Sequence, residues 1–198
     1  MKPVIVFATA NENKTSEVRE LLKDHFEVKS LTDIGCFEDI PETSNTLQGN
    51  ARQKARFVKD NYGYDCFADD TGLEVDALNG EPGVYTARYG GPNKDAEDNM
   101  NHLISELSKA GAHTPESRSA QFRTAIHLIV DSKEIDLQGI CKGNIAQERS
   151  GTAGFGYDPI FIPEGESRTF SEMSSEEKND ISHRGLAIRS MLEYLCVK

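Results

Sequence analysis

The sequence has no tryptophan, and no stretch of it approaches the roughly 18 consecutive apolar residues that a membrane span needs. Positive charge is also short: 22 Lys and Arg stand against 33 Asp and Glu, for a formal net charge of −11. A field of that sign repels a polyanion and provides no electrostatic footprint for nucleic acid. A small phosphorylated ligand stays open, since local Lys, Arg, backbone N–H groups and a divalent ion can hold it. The four cysteines, Cys36, Cys66, Cys141 and Cys196, are scattered and form no C-x-x-C pair. That speaks against a zinc knuckle or a disulfide framework and leads us to expect a reducing cytoplasm. The Walker A and G-x-G-x-x-G fingerprints are both missing, so the two most familiar nucleotide-binding loops are excluded.

What is present is ordinary globular chemistry. With 198 residues, 37% of them hydrophobic, the chain is long enough for one sizeable domain, residues 1–198, or one domain in two lobes around a cleft. Pro3–Ala8 reads as a buried first strand, not a secretory signal, because Asn11-Glu12-Asn13-Lys14 follows it at once. A helix is expected over Lys14–Phe26, a strand over Glu27–Leu31, and a second helix to about Asp60 with Leu47, Ala51, Ala55 and Val58 on one face. Asp65–Ala77 reads as two short strands around an Asp69-Asp70-Thr71-Gly72 turn. A helix carrying Met100, Leu103, Ile104 and Leu107 ends at Gly111, and a strand alternates through Ala120, Phe122, Thr124, Ile126, Leu128 and Val130. Ile135–Cys141 pairs with that strand as a hairpin. Ser174 and Glu177 form a capping box for a short helix, and the last helix starts near Ser182. Strands and helices mix without strict alternation, which predicts an α/β fold with a mixed sheet and flanking helices.

Four segments are candidates for chemistry. Thr9, Asn11, Asn13 and Lys14 lie between a strand and a helix start, where N–H groups and a lysine suit a phosphate and where Asn equally suits a plain cap. Glu42, Asp69, Asp70, Glu74 and Asp76 offer the carboxylates a hard cation such as Mg²⁺ prefers, or an acidic turn and a solvated strand face. Gly154-Phe155-Gly156-Tyr157-Asp158 offers close backbone approach, a stacking ring and an acceptor, or a tight loop. Lys178 with Ser182-His183-Arg184 is a cationic cluster in an acidic chain, or surface charge and a helix cap.

Taken in order and spacing, these segments resemble the inosine triphosphate pyrophosphatase family across essentially the whole chain. The matching residues are Ala8-Thr9-Ala10-Asn11 with Lys14, Glu42-Thr43, Asn50-Ala51, Lys54-Ala55 and Ala68-Asp69-Asp70-Thr71-Gly72-Leu73. Pro82-Gly83-Val84-Tyr85, Ala87-Arg88-Tyr89, Gly154 to Pro159, Glu177-Lys178 and Ile181 to Gly185 follow. The resemblance implies a two-lobed mixed α/β fold, a homodimer, and a nucleotide in a cleft between the lobes. It implies hydrolysis of non-standard purine triphosphates (ITP, dITP, XTP) to the monophosphate and pyrophosphate, which keeps them out of DNA and RNA. It implies Mg²⁺ on Glu42 and Asp70, with Asp70 as general base. Phosphate or sugar contacts fall on Thr9, Ala10, Asn11, Glu12, Asn13, Lys14 and Thr71, and other substrate contacts on Phe155, Gly156, Tyr157, Asp158, Lys178, His183 and Arg184. Asp69 and Lys54 are supporting residues. The chain departs from the family pattern with Ala10 and Ser44 where glycine is commoner, Leu47 where an aromatic is commoner, and Gly49 inside the second helix.

Overall fold

The computed structural model describes residues 2–196. In chain order the elements are β1 (Val4–Phe7), α1 (Glu12–Leu22), β2 (Glu27–Lys29), α2 (Leu47–Tyr62), β3 (Cys66–Val75), β4 (Pro82–Gly83), α3 (Ala96–Lys109), β5 (Ser119–Val130), β6 (Lys133–Ile145), β7 (Phe161–Pro163), α4 (Ser175–Ile181) and α5 (His183–Cys196), with single 3₁₀ turns between them. The strands are hydrogen-bonded in the order β2-β1-β3-β5-β6-β7, and β4 pairs with β3 off that path. β1 is parallel to β2 and β3, while β4 is antiparallel to β3 and β7 to β6. Among the described residues no helix is long and apolar enough to cross a membrane.

The chain divides into two compact units: Met1–Asp70, Thr124–Gly139 and Gly185–Lys198 form the first, and Thr71–Arg123 and Ile140–Arg184 the second. In the first unit β1 is apolar at successive positions because both faces are covered. Ile5 and Phe7 join Phe67, Val18, Leu22, Ile126, Leu128, Ile188 and Met191 in one cluster. Val6 and Ala8 join Cys66, Ala68, Ala55, Val58 and Ile129 in another. Phe7 and Phe67 stack across the β1–β3 pairing with centroids 4.7 Å apart. Each large side chain so buried contributes about 1.5–3 kcal/mol.

Local chemistry sets the element ends. α1 starts at Asn11, whose side chain accepts from the N–H groups of Asn13 and Lys14, and it buries Thr15, Val18 and Leu22 at helical spacing. α2 starts at Thr46, whose hydroxyl accepts from Gly49, and stops at Gly63, where φ is +74°. Its buried face carries Leu47, Ala51, Ala55 and Val58, as the periodicity predicts, and also Asn50 and Lys54. The β5–β6 hairpin turns at Asp131 and Ser132, both at positive φ, the conformation that matches strand twist in a two-residue turn.

The second unit has its own core, with Leu73, Val75, Leu103, Leu107, Phe122, Tyr157, Phe161 and Phe170 among its members. Phe122 meets Phe161 edge-on at 4.7 Å. α4 starts in the capping box foreseen from the sequence, with Ser174 and Glu177 each satisfying the other's backbone N–H.

Two expectations need correction. Asp69-Asp70-Thr71-Gly72 is not a turn: β3 runs unbroken from Cys66 to Val75. Pairing with neighbouring strands overrides the local turn signal, and polar partners meet the carboxylates where they stand. The alternation expected along β5 holds from Ser119 to Thr124 and ends there, since Ala125, Ile126, His127, Leu128 and Ile129 are all buried. Ile126 and Leu128 pack in one cluster of the first unit and Ile129 in the other, so neither face is left to solvent.

Candidate active site

In the first unit, β3 places Asp69 and Asp70 on opposite faces, because side chains alternate along a strand. Lys14 Nζ, one turn into α1, lies 2.8 Å from Asp69 Oδ1, and Asp69 is 1% exposed. Thr9 is buried, and its hydroxyl accepts from the Asn11 N–H at 3.2 Å. Asn11 does cap α1, at 3.0 Å to the Asn13 N–H and 3.2 Å to that of Lys14. Ala10, Asn11, Glu12 and Asn13 are otherwise at the surface. Ala10 is not among the four non-glycine residues with positive φ, Asn79, Lys94, Asp131 and Ser132, so alanine satisfies the backbone there without strain.

Asp70, on the α2 face, accepts a hydrogen bond from Asn50 Nδ2 at 2.9 Å. Burial pushes the Asp70 pKa above the ordinary carboxylate value; Lys54, Lys14 and the Asn50 bond pull it down without offsetting the rise, and Glu42 adds to it. Lys54, 6% exposed, donates to Glu42 Oε1. Burial acts to lower the Lys54 pKa, but the nearby carboxylates of Asp70, Asp69 and Glu42 outweigh it and the ammonium is held charged. Three carboxylates thus gather around two lysines, leaving an excess of negative charge in a partly desolvated place. Glu42 and Asp70 offer the hard carboxylate oxygens that a divalent cation prefers, while among the described residues no group of three or more His, Cys, Asp or Glu stands ready to hold a metal ion. Glu74 and Asp76 do not join Glu42 and Asp70. Glu74, in the second unit, is committed to Gln121 at 2.6 Å and Arg123 at 3.0 Å.

The second unit assembles a different set. Asp158 Oδ2 accepts from Lys178 Nζ at 2.7 Å and from the Phe155 N–H at 2.8 Å. Asp158 is 4% exposed and Lys178 6%. The loop can close on that carboxylate only because residue 154 is glycine, at φ +78°: a Cβ there would lie 2.1 Å from Asp158 Oδ2. Gly156 is also at positive φ, +63°. Lys178 Nζ sits 4.9 Å from the Phe155 ring centroid and the Arg184 guanidinium 5.8 Å from it, so two cations flank one ring. Arg184 also donates to the Thr71 hydroxyl at 3.3 Å. His183 stacks on Phe122, with centroids 4.5 Å apart and planes 19° from parallel. Tyr157 is in the core, with its hydroxyl donating to the Thr86 carbonyl at 2.9 Å and its pKa raised by burial.

Two features escaped the sequence reading. Asn50 was legible only as part of the Asn50-Ala51 match, and its bond to Asp70 has no local signal. His127, buried on β5, has Nδ1 2.5 Å from Asp136 Oδ1 and Nε2 3.1 Å from Glu134 Oε2. Alternation of His127 with apolar neighbours could have marked it as a buried polar group needing partners.

The fold is a mixed-sheet α/β protein; one unit gathers buried carboxylates with lysines, and the other carries an aromatic ring flanked by two cations. The Ham1 family model matches residues 5–194. A dITP/XTP pyrophosphatase of Flavobacterium johnsoniae is 52% identical over 96% of this chain and 97% of its own. That of Bacillus subtilis is 42% identical over 98% of both. The solved structure of a HAM1 protein from Coxiella burnetii has a TM-score of 0.88 and 36% identity, covering 99% of this chain and all of the other. The chain belongs to the Ham1 family.

Proposed function

We propose that this protein is a nucleoside-triphosphate pyrophosphatase that cleaves non-standard purine nucleotides, ITP, dITP and XTP, to the monophosphate and pyrophosphate. The family membership and the names of its relatives carry the reaction class. The observation that carries the chemistry is geometric: Asp70 on β3 accepts from Asn50 at 2.9 Å, beside the Lys54–Glu42 and Lys14–Asp69 ion pairs.

In this reading Asp70 takes a proton from a water whose oxygen bonds to the α-phosphorus. The bond from that phosphorus to the α,β-bridging oxygen breaks, and the electron pair leaves with pyrophosphate. Glu42 and Asp70 would hold Mg²⁺, which when bound would neutralise the triphosphate charge. Lys54 holds Glu42 in place, and Lys14, aligned by Asp69, faces phosphate together with the first turn of α1, residues 9–14. Thr71 contacts sugar or phosphate.

Base recognition is assigned, as the family resemblance implies, to the loop around Phe155. Phe155 offers its ring for stacking, and Lys178 and Arg184 offer donors beside it. Asp158 and Tyr157 hold that loop in shape, and His183 stacks on Phe122. The six-position of hypoxanthine and xanthine is an acceptor, whereas adenine carries a donor there. A donor from Arg184 or the loop backbone therefore rejects ATP by a polar mismatch. We place the enzyme in the cytoplasm as a homodimer; four free cysteines suit a reducing compartment.

The test is pyrophosphate release with Mg²⁺ from ITP, dITP, XTP, ATP, GTP and CTP at equal concentration. Preference for the first three with pyrophosphate as product supports the reading. Equal cleavage of all six overturns the base-recognition part, and release from none overturns the activity.

A further inference from the structure

The loop that carries Glu42 is zipped to α2 residue by residue. Lys54 donates to Glu42. The Thr43 N–H donates to Gln53 Oε1 at 3.1 Å, and Gln53 Nε2 returns a bond to the Thr43 hydroxyl at 2.8 Å. The Ser44 N–H donates to Asn50 Oδ1 at 2.9 Å. Loop positions 42, 43 and 44 thus meet helix positions 54, 53 and 50 in reverse order.

Asn50 is distinct among these because its other end goes elsewhere, to Asp70. The amide cannot be turned round: the Ser44 N–H only donates, and the Asp70 carboxylate only accepts. At 4% exposure on the buried face of α2, Asn50 is closed to bulk solvent. One side chain therefore sets both the rotation of the Asp70 carboxylate and the position of the loop two residues beyond Glu42.

The close seating of that loop also explains two departures of this chain from the family pattern. A Cβ on residue 49 would lie 1.9 Å from Ser44 Oγ and 3.0 Å from Thr46 Oγ1. Ser44 Oγ in turn accepts from the Thr46 N–H at 3.2 Å. Ser44 occupies the space that Gly49 leaves, so the two substitutions form one packed pair.

We propose that Asn50 is a positioning residue of the reaction, fixing the general base Asp70 and the Glu42 loop relative to each other through the two ends of its amide. Gly49 permits that arrangement by admitting Ser44. This rests on the assignment of Asp70 and Glu42 made above. Asn50 itself touches no reacting atom.

The variants to compare are Asn50→Ala and Gly49→Ala, each checked for a native near-UV circular dichroism spectrum. Folded Asn50→Ala is expected to lose about 100-fold in kcat with KM for ITP changed by less than about threefold, since misplacing a catalytic group acts on the bound substrate. Its Mg²⁺-induced rise in Tm, measured without nucleotide, is expected to shrink as the two carboxylates lose their alignment. Gly49→Ala is expected to raise the Mg²⁺ concentration for half-maximal Tm shift, with kcat at saturating Mg²⁺ within about threefold of the parent. Adding Ser44→Gly to Gly49→Ala is expected to restore the parent Mg²⁺ response. Parent-like kcat in folded Asn50→Ala, or a loss confined to KM, overturns the proposal. An unchanged Mg²⁺ response in Gly49→Ala overturns the Ser44 arm, and is decisive there even if Asn50→Ala does not fold. A parent protein that releases no pyrophosphate overturns the function, while the Mg²⁺-dependent Tm shifts still report on Asn50.

Discussion

Asp69 and Asp70 are consecutive in β3 yet serve different elements, Asp69 bonding Lys14 of α1 and Asp70 bonding Asn50 of α2. Their substitutions should therefore part company. Asp70→Asn removes a base that burial disfavours as an anion, so kcat falls by about 10³-fold or more while Tm without metal holds or rises. Asp69→Asn removes the buried half of the 2.8 Å ion pair with Lys14 and lowers Tm by about 5 °C or more. Differential scanning fluorimetry beside a pyrophosphate assay separates the two, and a lowered Tm in Asp70→Asn contradicts the account of its environment.

Gly154 and Gly165 provide a matched comparison in one unit. Both have positive φ, +78° and +84°, but a Cβ at 154 meets Asp158 Oδ2 at 2.1 Å while one at 165 meets nothing within 4 Å. Gly165→Ala should cost only the backbone preference, about 1 kcal/mol. Gly154→Ala adds displacement of the carboxylate that holds Lys178 and the Phe155 N–H, so its loss of stability should exceed that of Gly165→Ala by about 1–3 kcal/mol. Nucleotide KM should rise only in the former. Urea denaturation with ITP kinetics on both variants decides it.

Periodicity located the helices and their apolar faces because burial on one side leaves a repeating mark, as Leu47, Ala51, Ala55 and Val58 do on α2. The capping box at Ser174 and Glu177 was readable for the same reason: its partners are three residues apart. β3 was misread because strand pairing is non-local, and Asp69-Asp70-Thr71-Gly72 looks the same to its neighbours in a turn or a strand. The partners of the carboxylates were illegible on like grounds. Lys14 is 55 residues from Asp69 and Asn50 is 20 from Asp70, distances over which sequence spacing carries no geometry. Residue chemistry marked the four candidate segments, each with a plain structural alternative, and the ordered family resemblance, not any single motif, gave them roles.

The charge cluster around His127 makes the first unit sensitive to acid. Hydrogen bonding and attraction from Arg56 hold Glu134 below its ordinary pKa. Burial acts to raise that of Asp136, but His127 and Arg52 outweigh it and the carboxyl is lowered. A carboxylate with a depressed folded pKa takes up protons more readily when unfolded, so its stabilisation is present above the unfolded pKa and is lost as pH falls through the folded one. Tm should accordingly hold near neutrality and drop below about pH 4. In Asp136→Asn that acid-side slope should be shallower, with Tm at pH 7 lower than the parent's. Thermal melts from pH 3 to 7 test this, and an identical acid slope in the variant counts against the network.

The four cysteines should differ sharply in reactivity. Burial pushes the Cys66 and Cys141 thiols up to about 12, Cys36 is buried, and Cys196 is exposed. The thiolate is the reacting form, so at pH 8 Cys66 and Cys141 are closed to alkylation by both access and protonation. Brief treatment of native protein with iodoacetamide should add a single group, at Cys196, with all four modified only after denaturation. Intact-mass and peptide spectrometry read the result directly, and rapid labelling of Cys66 in the folded protein would contradict its place between β3 and α2.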